Sequence, residues 1–183
     1  MEEKKTMTRK SWIDVLKQSP EQGFRQLMAA YKEAIYWHIR RLVVLHDDAQ
    51  DATQETFVRV FRNLAQCDDN RSFVAWIYRI ATNEALRIID RRRSDQQSLD
   101  IDDADAVALP ADSYVDYTDL EAVKLQQAIR SLPAKQQVTF NLRYYDELDY
   151  AEIAAITEST VASAKMNYHL AKEKIIAYMN SHD

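Results

Sequence analysis

A near absence of glycine restricts the fold of this chain more than any other feature of its sequence. Gly23 is the only glycine among 183 residues, and the chain has three prolines. Tight β-hairpins and phosphate-binding loops depend on residues at positive φ, which glycine adopts at the lowest steric cost. The sequence therefore predicts an all-α fold.

The cysteine count and the hydropathy narrow the class of protein further. Cys67 is the only cysteine, which excludes an intramolecular disulfide and a multi-cysteine metal site. No N-terminal apolar run resembles a signal peptide, and no stretch approaches the roughly 18 apolar residues of a membrane span. We expect a soluble, cytoplasmic protein that does not insert into the membrane.

Three stretches in the first half of the chain have apolar residues at helical spacing: residues 24–45, about 48–64, and 72–92. Ser72 is a suitable N-cap for the third helix. The predicted buried positions of the second helix are Ala49, Ala52, Thr53, Phe57, Val60, Phe61 and Leu64. Three helices of this length can enclose one core.

The acidic charge of the chain is concentrated in one segment. The net charge is −5 overall, but residues 1–93 carry +4, residues 94–121 carry −9, and residues 122–183 carry 0. The acidic segment lacks helical periodicity and contains Pro110. This pattern predicts an irregular acidic linker over residues 94–119, between two helical domains.

Helical periodicity resumes at Leu120, and Ser131 and Pro133 mark a break before a new helix. Residues 150–156 predict a short helix, and Thr160 is a suitable N-cap for the last one. The predicted buried face of the last helix comprises Val161, Ala164, Tyr168, Ala171, Ile175 and Tyr178. Two helices joined by a tight turn are the layout of a helix-turn-helix, although helical bundles contain similar pairs.

Longer motifs make the comparison with known proteins specific. The first half of the chain contains DDAQDATQETFVRVFRNL followed by FVAWIYRIATNEALRIIDRRR, and the second half contains LQQAIRSLPAKQQVTFNLRYYDELDYAEIAAITESTVASAKMNYHLAKEKI. The first two stretches resemble region 2 of the extracytoplasmic-function (ECF) sigma factors of the sigma-70 superfamily, and the third resembles their region 4. The similarity covers about residues 20–93 and 119–178. It implies a three-to-four-helix bundle over residues 1–93, and a helix-turn-helix domain over residues 120–183.

The resemblance also implies a function. A chain of this family is an alternative sigma factor, which binds bacterial RNA polymerase core and directs promoter recognition, DNA melting and transcription initiation. No enzyme activity, cofactor or metal is expected of the chain itself, because the polymerase performs the phosphoryl chemistry. An anti-sigma factor is an expected further partner. The acidic linker is expected to thread toward the polymerase cleft, where it could mimic nucleic acid in a positive channel.

The second helix has a polar surface away from its apolar stripe, formed by Asp51, Gln54, Glu55, Arg59 and Arg62. Asp51, Glu55 and Arg59 recur every four residues, so this face grades from acidic to basic. The resemblance implies that it binds the clamp-helix coiled coil of the polymerase largest subunit. The alternative is a solvated helix side with intrahelical ion pairs, each worth only tenths of a kcal/mol.

The third helix and the loop before it carry the residues that the resemblance assigns to the minus-ten promoter element, namely Asn70, Arg71, Trp76, Asn83, Arg87 and Arg91. Arginines can follow phosphates, and the amide of Asn83 can contact a base edge. The loop at residues 66–71 is expected to shape a pocket for a flipped base. Trp76 lies on the apolar stripe, so packing in the core is its alternative role.

The last helix is the expected reader of the minus-thirty-five element. The resemblance assigns to this element Arg143, Ala162, Ser163, Lys165, Met166 and His169. The start of the preceding helix, near Tyr150, is also expected to contact phosphate. Glu158 stands where the family usually has a turn glycine, which predicts either a turn without positive φ or a strained one.

Three other classes of function stay open at this point. An enzyme is disfavoured because the four histidines are scattered and no HExxH, P-loop or nucleophile-elbow motif occurs. A stand-alone helix-turn-helix regulator accounts for the C-terminal half but leaves QETF and WIYRIATNEA unexplained. An adaptor that binds only proteins predicts no salt-dependent association with DNA.

Overall fold

The computed structural model describes residues 9–64, 72–98 and 120–181, and these residues form eight α-helices without a β-strand. The helices are α1 (Arg9–Gln18), α2 (Pro20–Val43), α3 (His46–Asn63), α4 (Phe73–Ser98), α5 (Leu120–Arg130), α6 (Ala134–Tyr144), α7 (Tyr150–Ile156) and α8 (Val161–Ser181). The predicted all-α fold is confirmed over this part of the chain, in which no helix combines the length and hydropathy of a membrane span. The predictions for Cys67, Asn70, Arg71 and residues 99–119 lie outside the described residues.

The chain divides into two compact units, Met1–Ile88 and Ile89–Asp183. The division falls within α4, which continues to Ser98, whereas the periodicity predicted an end at Arg92. The first five residues of the predicted linker are therefore helical. The apolar stripe ends before them, but arginine and glutamine are good helix formers and carry the helix further.

The first helix was not predicted from the sequence. Trp12 and Leu16 are its buried apolar residues, and they lie one turn apart in a helix of only ten residues. Trp12 packs edge-on against Tyr31 of α2 and stacks on Phe73 of α4, with ring centroids 6.3 and 6.4 Å apart. A helix of ten residues with two buried positions is too short to establish a period, so the tertiary contacts define α1.

A strained turn joins α2 to α3. Val44 has φ 71° and ψ −46°, and the Leu45 N–H donates to the Val43 carbonyl at 2.9 Å. This three-residue γ-turn is rare, and a β-branched residue at positive φ is disfavoured. The turn lets α3 begin at His46 and pack along α2.

The buried stripe predicted for α3 is correct except at Phe61, whose side chain is 47% exposed. Phe61 lies at the edge of the stripe and packs edge-on against Phe24 of α2, with centroids 5.6 Å apart. Thr56 is buried on the core side in its place. Its hydroxyl donates to the Ala52 carbonyl at 2.7 Å, which satisfies the buried polar group within the helix.

In the second unit, α8 packs against α5, α6 and α7. The core comprises Ala128, Ile129, Leu132, Phe140, Ala171 and Ile175. Val161 was predicted to be buried but is 42% exposed, because it is the first residue of α8 and the buried positions of that helix begin at Ala164. The N-caps predicted for α4 and α8 are both confirmed: Ser72 Oγ accepts the Ala75 N–H at 3.3 Å, and Thr160 Oγ1 accepts the Ser163 N–H at 3.1 Å.

Gly23 sets the distance between α1 and α2. A Cβ atom at this position would lie 3.0 Å from the Leu16 Cα and 2.9 Å from its Cδ2, so Gly23→Ala must push the two helices apart. Alanine gains about 1 kcal/mol of helix propensity, but overpacking costs about 1–3 kcal/mol. We expect a net loss of about 1 kcal/mol of stability in the first unit. All three tryptophans, Trp12, Trp37 and Trp76, lie in that unit, so their fluorescence during urea unfolding measures it.

The matched control is Ala34→Gly at an exposed position of α2. It should lower stability by about 1 kcal/mol through propensity alone. If propensity also governed position 23, Gly23→Ala would raise the urea midpoint, and that result would contradict the close-approach explanation.

Candidate functional site

The polar surface predicted on α3 lies outside the core. Asp51, Gln54 and Arg62 are exposed, and Glu55 and Arg59 are partly exposed. Arg59 Nε lies 2.9 Å from Glu55 Oε1. This surface therefore contains an intrahelical ion pair, as expected for a solvated helix side. The pair occupies the middle of the surface and leaves the acidic Asp51 on the side of the α3 N-terminus and the basic Arg62 on the side of its C-terminus.

An apolar groove adjoins the basic end of this surface. Its volume is about 420 Å³, and it is lined by Pro20, Glu21, Phe24, Val58, Phe61 and Arg62. The exposed Val58 and Phe61 are its α3 wall. This groove was not predicted from the sequence, because the apolar stripe of the second helix placed Phe61 in the core.

A buried hydrogen bond and a buried ring contact set the rotation of α4 against α2. His38 of α2 is fully buried, and its Nε2 lies 2.8 Å from Thr82 Oγ1. Tyr78 packs edge-on against the His38 ring at 5.1 Å. Because buried polar groups must keep their partners, these contacts allow one rotation of α4 about its axis. In that rotation Asn83 and Arg87 face outward.

Glu84 was not among the residues predicted from the sequence to be functional. Its side chain is only 3% exposed, and it pairs with Arg59 of α3 at 2.9 Å and with Arg87 of α4 at 2.7 Å. The signal was present in the sequence: residue 84 is seven positions after the buried Ile77 and four before the buried Ile88. A carboxylate on an apolar stripe requires a positive partner.

The residues predicted on α4 lie mostly on its exposed side. Asn83, Arg87 and Arg91 are exposed. Trp76 is partly exposed and stacks on the buried Phe73, with centroids 5.8 Å apart and planes 28° apart. Trp76 therefore packs on the core with one part of its ring and leaves another part at the surface. Asn70 and Arg71 lie outside the described residues.

The turn between α7 and α8 is the strained alternative of the two predicted. Glu158 has φ 51°, in the region that favours glycine. The Ser159 N–H donates to the Ala154 carbonyl at 2.9 Å, which closes the C-terminus of α7 around Glu158. Thr157 and Ser159 add a hydroxyl–hydroxyl hydrogen bond of 2.9 Å across the turn.

The start of α7 is closed by its own side chains. Asp149 accepts the Glu152 N–H at 2.8 Å, and Glu152 accepts the Asp149 N–H at 3.3 Å. This capping box places two carboxylates where phosphate was expected to bind, and it uses one of the amides that a phosphate would need. The expectation that the start of α7 contacts phosphate stays a prediction, with the Glu152 N–H already bonded to Asp149.

Tyr150 brings two predicted DNA-contacting residues together. The Arg143 guanidinium lies 5.1 Å, and the Lys165 ammonium 5.8 Å, from the centroid of its ring. Arg143 also donates to the Leu148 carbonyl at 2.9 Å. Burial raises the pKa of the adjacent Tyr168, and so does Tyr150, whereas Arg143 opposes the rise. Arg143 and Lys165 therefore bring two positive charges to one tyrosine ring.

The exposed side of α8 holds the remaining predicted residues. Ala162, Lys165, Met166 and His169 are exposed, while Ser163 is partly buried. His169 Nε2 lies 3.3 Å from Glu173 Oε1, one turn further along the helix. In the described part of the chain, no group of three or more His, Cys, Asp or Glu side chains is arranged to hold a metal ion.

Comparison with known families agrees with this layout. Sigma-70 region 2 matches residues 27–95, and Sigma-70 region 4 matches residues 122–175. The ECF RNA polymerase sigma factor SigW of Bacillus subtilis is 31% identical over 176 residues, which cover 91% of this chain and 94% of that protein.

Two solved structures share the fold. The structure of CnrH in complex with the cytosolic domain of CnrY has a TM-score of 0.71 and 20% identity, and the match covers 94% of this chain and 97% of CnrH. The sigma factor RpoE of Bartonella quintana, solved with the anti-sigma factor NepR, has a TM-score of 0.70 and 21% identity, with 87% and 98% covered.

The strain at Glu158 leads to a test of the turn. A left-handed conformation costs an L-residue about 1–2 kcal/mol, and glycine avoids this strain. Part of the advantage is lost, because glycine gives the unfolded chain more conformational freedom. Glu158→Gly should therefore stabilise the second unit by about 0.5–1 kcal/mol. Native-state hydrogen exchange of the Ala164 and Ala171 amides measures this unit.

Lys174→Gly, at an exposed position within α8, is the matched control. It should speed exchange, because glycine in a helix costs about 1 kcal/mol. Faster exchange in Glu158→Gly as well would mean that the glutamate side chain contributes more to the turn than its backbone strain removes.

Proposed function

The chain belongs to the extracytoplasmic-function group of the sigma-70 family, and from this premise we propose which of its residues carry out the family's activity. It is an alternative sigma factor, which binds RNA polymerase core and promoter DNA to initiate transcription, and it is not an enzyme. We propose functional limits of 1–93 for region 2, 94–119 for the linker and 120–183 for region 4. The matched family segments, 27–95 and 122–175, support these limits.

The α3 surface is the proposed contact with polymerase core. Asp51, Gln54 and Arg62 are exposed on this surface. Asp51 is negatively charged, whereas the C-terminal end of the helix is basic. A surface graded in charge along one helix favours a single orientation of a partner helix, since like-charge juxtaposition is disfavoured. Glu55 and Arg59 belong to the same proposed contact.

The exposed side of α4 is the proposed contact with the minus-ten element. The single observation that carries this assignment is that the His38–Thr82 and Arg59–Glu84 contacts hold α4 with Asn83 and Arg87 facing outward. An amide can read a base edge, and arginines bind phosphates. Arg91 continues the basic row, and the partly exposed Trp76 offers a ring against an unstacked base. Asn70 and Arg71 are proposed by family resemblance alone.

The exposed residues of α8 are the proposed contact with the minus-thirty-five element. Lys165 and Arg143 lie on one tyrosine ring and offer two positive charges to the phosphate backbone. Ala162, Ser163, Met166 and His169 lie near the start of α8, where a recognition helix meets base edges. Met166 is 57% exposed and offers an apolar contact of the kind that thymine methyl groups accept.

Two further proposals concern the setting of the protein. An anti-sigma factor is a proposed partner, supported by the Bartonella quintana sigma factor of the same fold, which was solved with one. The proposed location is the cytoplasm, because bacterial transcription takes place there.

Charge reversal tests the polymerase contact. Asp51→Lys should weaken core binding roughly tenfold at low salt. The acidic end of α3 would face a basic surface of the polymerase, and a lysine there places two positive charges against each other. The loss should shrink as salt is raised, because exposed charges are screened. Fluorescence anisotropy of labelled protein titrated with core polymerase measures the affinity.

Asp14→Lys is the control for Asp51→Lys, because it makes the same charge change at an exposed position of α1. It should leave core affinity nearly unchanged. Equal losses in the two variants would show a general effect of net charge and would refute the α3 contact.

Run-off transcription with core polymerase and genomic DNA identifies the promoters, on which the α4 contact can be tested. Asn83→Ala should lower open-complex formation about tenfold while core affinity stays within twofold, because a base-edge contact is worth about 1–3 kcal/mol. Permanganate reactivity of unpaired thymines measures opening. Asn180→Ala, an exposed position at the end of α8, is the matched control. Parallel losses of core affinity and opening in Asn83→Ala would indicate a folding defect instead of a DNA contact.

A further inference from the structure

One buried carboxylate links the two proposed surfaces of the first unit. The Glu84 side chain is 3% exposed, and each of its oxygens has its own arginine. Oε1 lies 2.9 Å from Arg59 Nε on α3, and Oε2 lies 2.7 Å from Arg87 Nη2 on α4. A carboxylate removed from water depends on such partners for its stability.

The contacts continue beyond Glu84 into a row of alternating charge. Arg59 Nε also lies 2.9 Å from Glu55 Oε1. The order is therefore Glu55, Arg59, Glu84 and Arg87, from the α3 surface to the α4 surface. The arginine side chains are 43% and 61% exposed, so a partner can reach both, whereas water barely reaches the carboxylate between them.

We propose that Glu84 is a positioning residue, through which the polymerase contact at Arg59 and the promoter contact at Arg87 act as one unit. The inference rests on the proposed function, which assigns these two arginines to different partners. Neither assignment by itself requires that the two contacts depend on each other. The shared carboxylate does require it, because each arginine alters the position and field of the group that holds the other.

The physical basis is the low exposure of the central group. Ion pairs between exposed side chains are weak and are screened by salt. A charge that water does not reach is screened less, so a change at one arginine is felt at the other. A polymerase group that engages Arg59 leaves more of the Glu84 charge to Arg87, which restricts that side chain before DNA arrives. By linkage, DNA bound at Arg87 must in turn affect polymerase binding at Arg59.

A double-mutant cycle tests the proposal. The variants are Arg59→Gln, Arg87→Gln and both together, because glutamine keeps a hydrogen-bond donor for the buried carboxylate. The measured quantity is the protein concentration that gives half-maximal open complex with core polymerase and a promoter identified by run-off transcription. Each single variant raises the half-maximal concentration by some factor. If the contacts are coupled, the half-maximal concentration of the double variant should be at least about fivefold lower than the product of the two single factors predicts.

Arg62→Gln supplies the matched control. Arg62 lies on the same α3 surface but is not a partner of Glu84 in the row of charges. When Arg62→Gln is combined with Arg87→Gln, the increase in the half-maximal concentration should equal the product of the two single increases. The Arg59 and Arg87 defects should also multiply once Glu84→Gln has removed the central charge. Tryptophan fluorescence during urea unfolding shows whether each variant retains the folded first unit.

The outcomes separate this inference from the proposed function. If both single variants are defective and their defects multiply, the coupling is refuted while the surfaces stand. Coupling that persists in Glu84→Gln refutes the role of Glu84. If either single variant is as active as the unaltered protein, the surface assignment itself is wrong, and the coupling is refuted with it. A Glu84→Gln protein that does not fold leaves the comparison with Arg62 to decide, because that cycle retains Glu84.

Discussion

The rotation of α4 is the constraint on which the two proposed surfaces of the first unit depend. A helix packed only by apolar side chains tolerates some rotation, because hydrophobic contacts are not directional. Here His38 and Thr82 form a buried hydrogen bond, and Glu84 holds arginines on two helices. The His38–Thr82 and Arg59–Glu84 contacts join α4 to other helices, so both would break if α4 turned. The polar contacts inside therefore determine which residues α4 presents outside.

The same contacts place two chemically different surfaces on neighbouring helices. The α3 surface carries both signs of charge along its length, while the outer side of α4 carries an amide and a row of arginines. Glu84 lies between them and belongs to neither. The apolar groove beside Arg62 extends the α3 surface with exposed Val58 and Phe61, so both charge and apolar area are available to a docking protein.

The second unit achieves its arrangement differently. Its α7–α8 pair is determined by backbone capping: Asp149 and Glu152 close one end of α7, a left-handed Glu158 closes the other, and Thr160 begins α8. Two cations proposed to contact DNA, Arg143 and Lys165, lie on the Tyr150 ring. An aromatic ring orients a cation without neutralising it, so both side chains keep their charge for the proposed phosphate contact.

The sequence by itself determined the all-α class, most of the core-facing positions and the family. Scarce glycine, helical spacing and caps such as Ser72 and Thr160 are local properties, and so are motifs such as QETF. Only the tertiary structure decided the rest. Helix α1 is stabilised by the packing of Trp12 against Tyr31 and Phe73. Phe61 is exposed because it lies at the edge of the apolar stripe of α3. The proposed role of Glu84 depends on its contact with Arg59, which lies 25 positions earlier in the chain. A periodic pattern shows which positions of a helix face the core. It does not show which residue of another helix each of them contacts, and the pairing of buried charges depends on that contact.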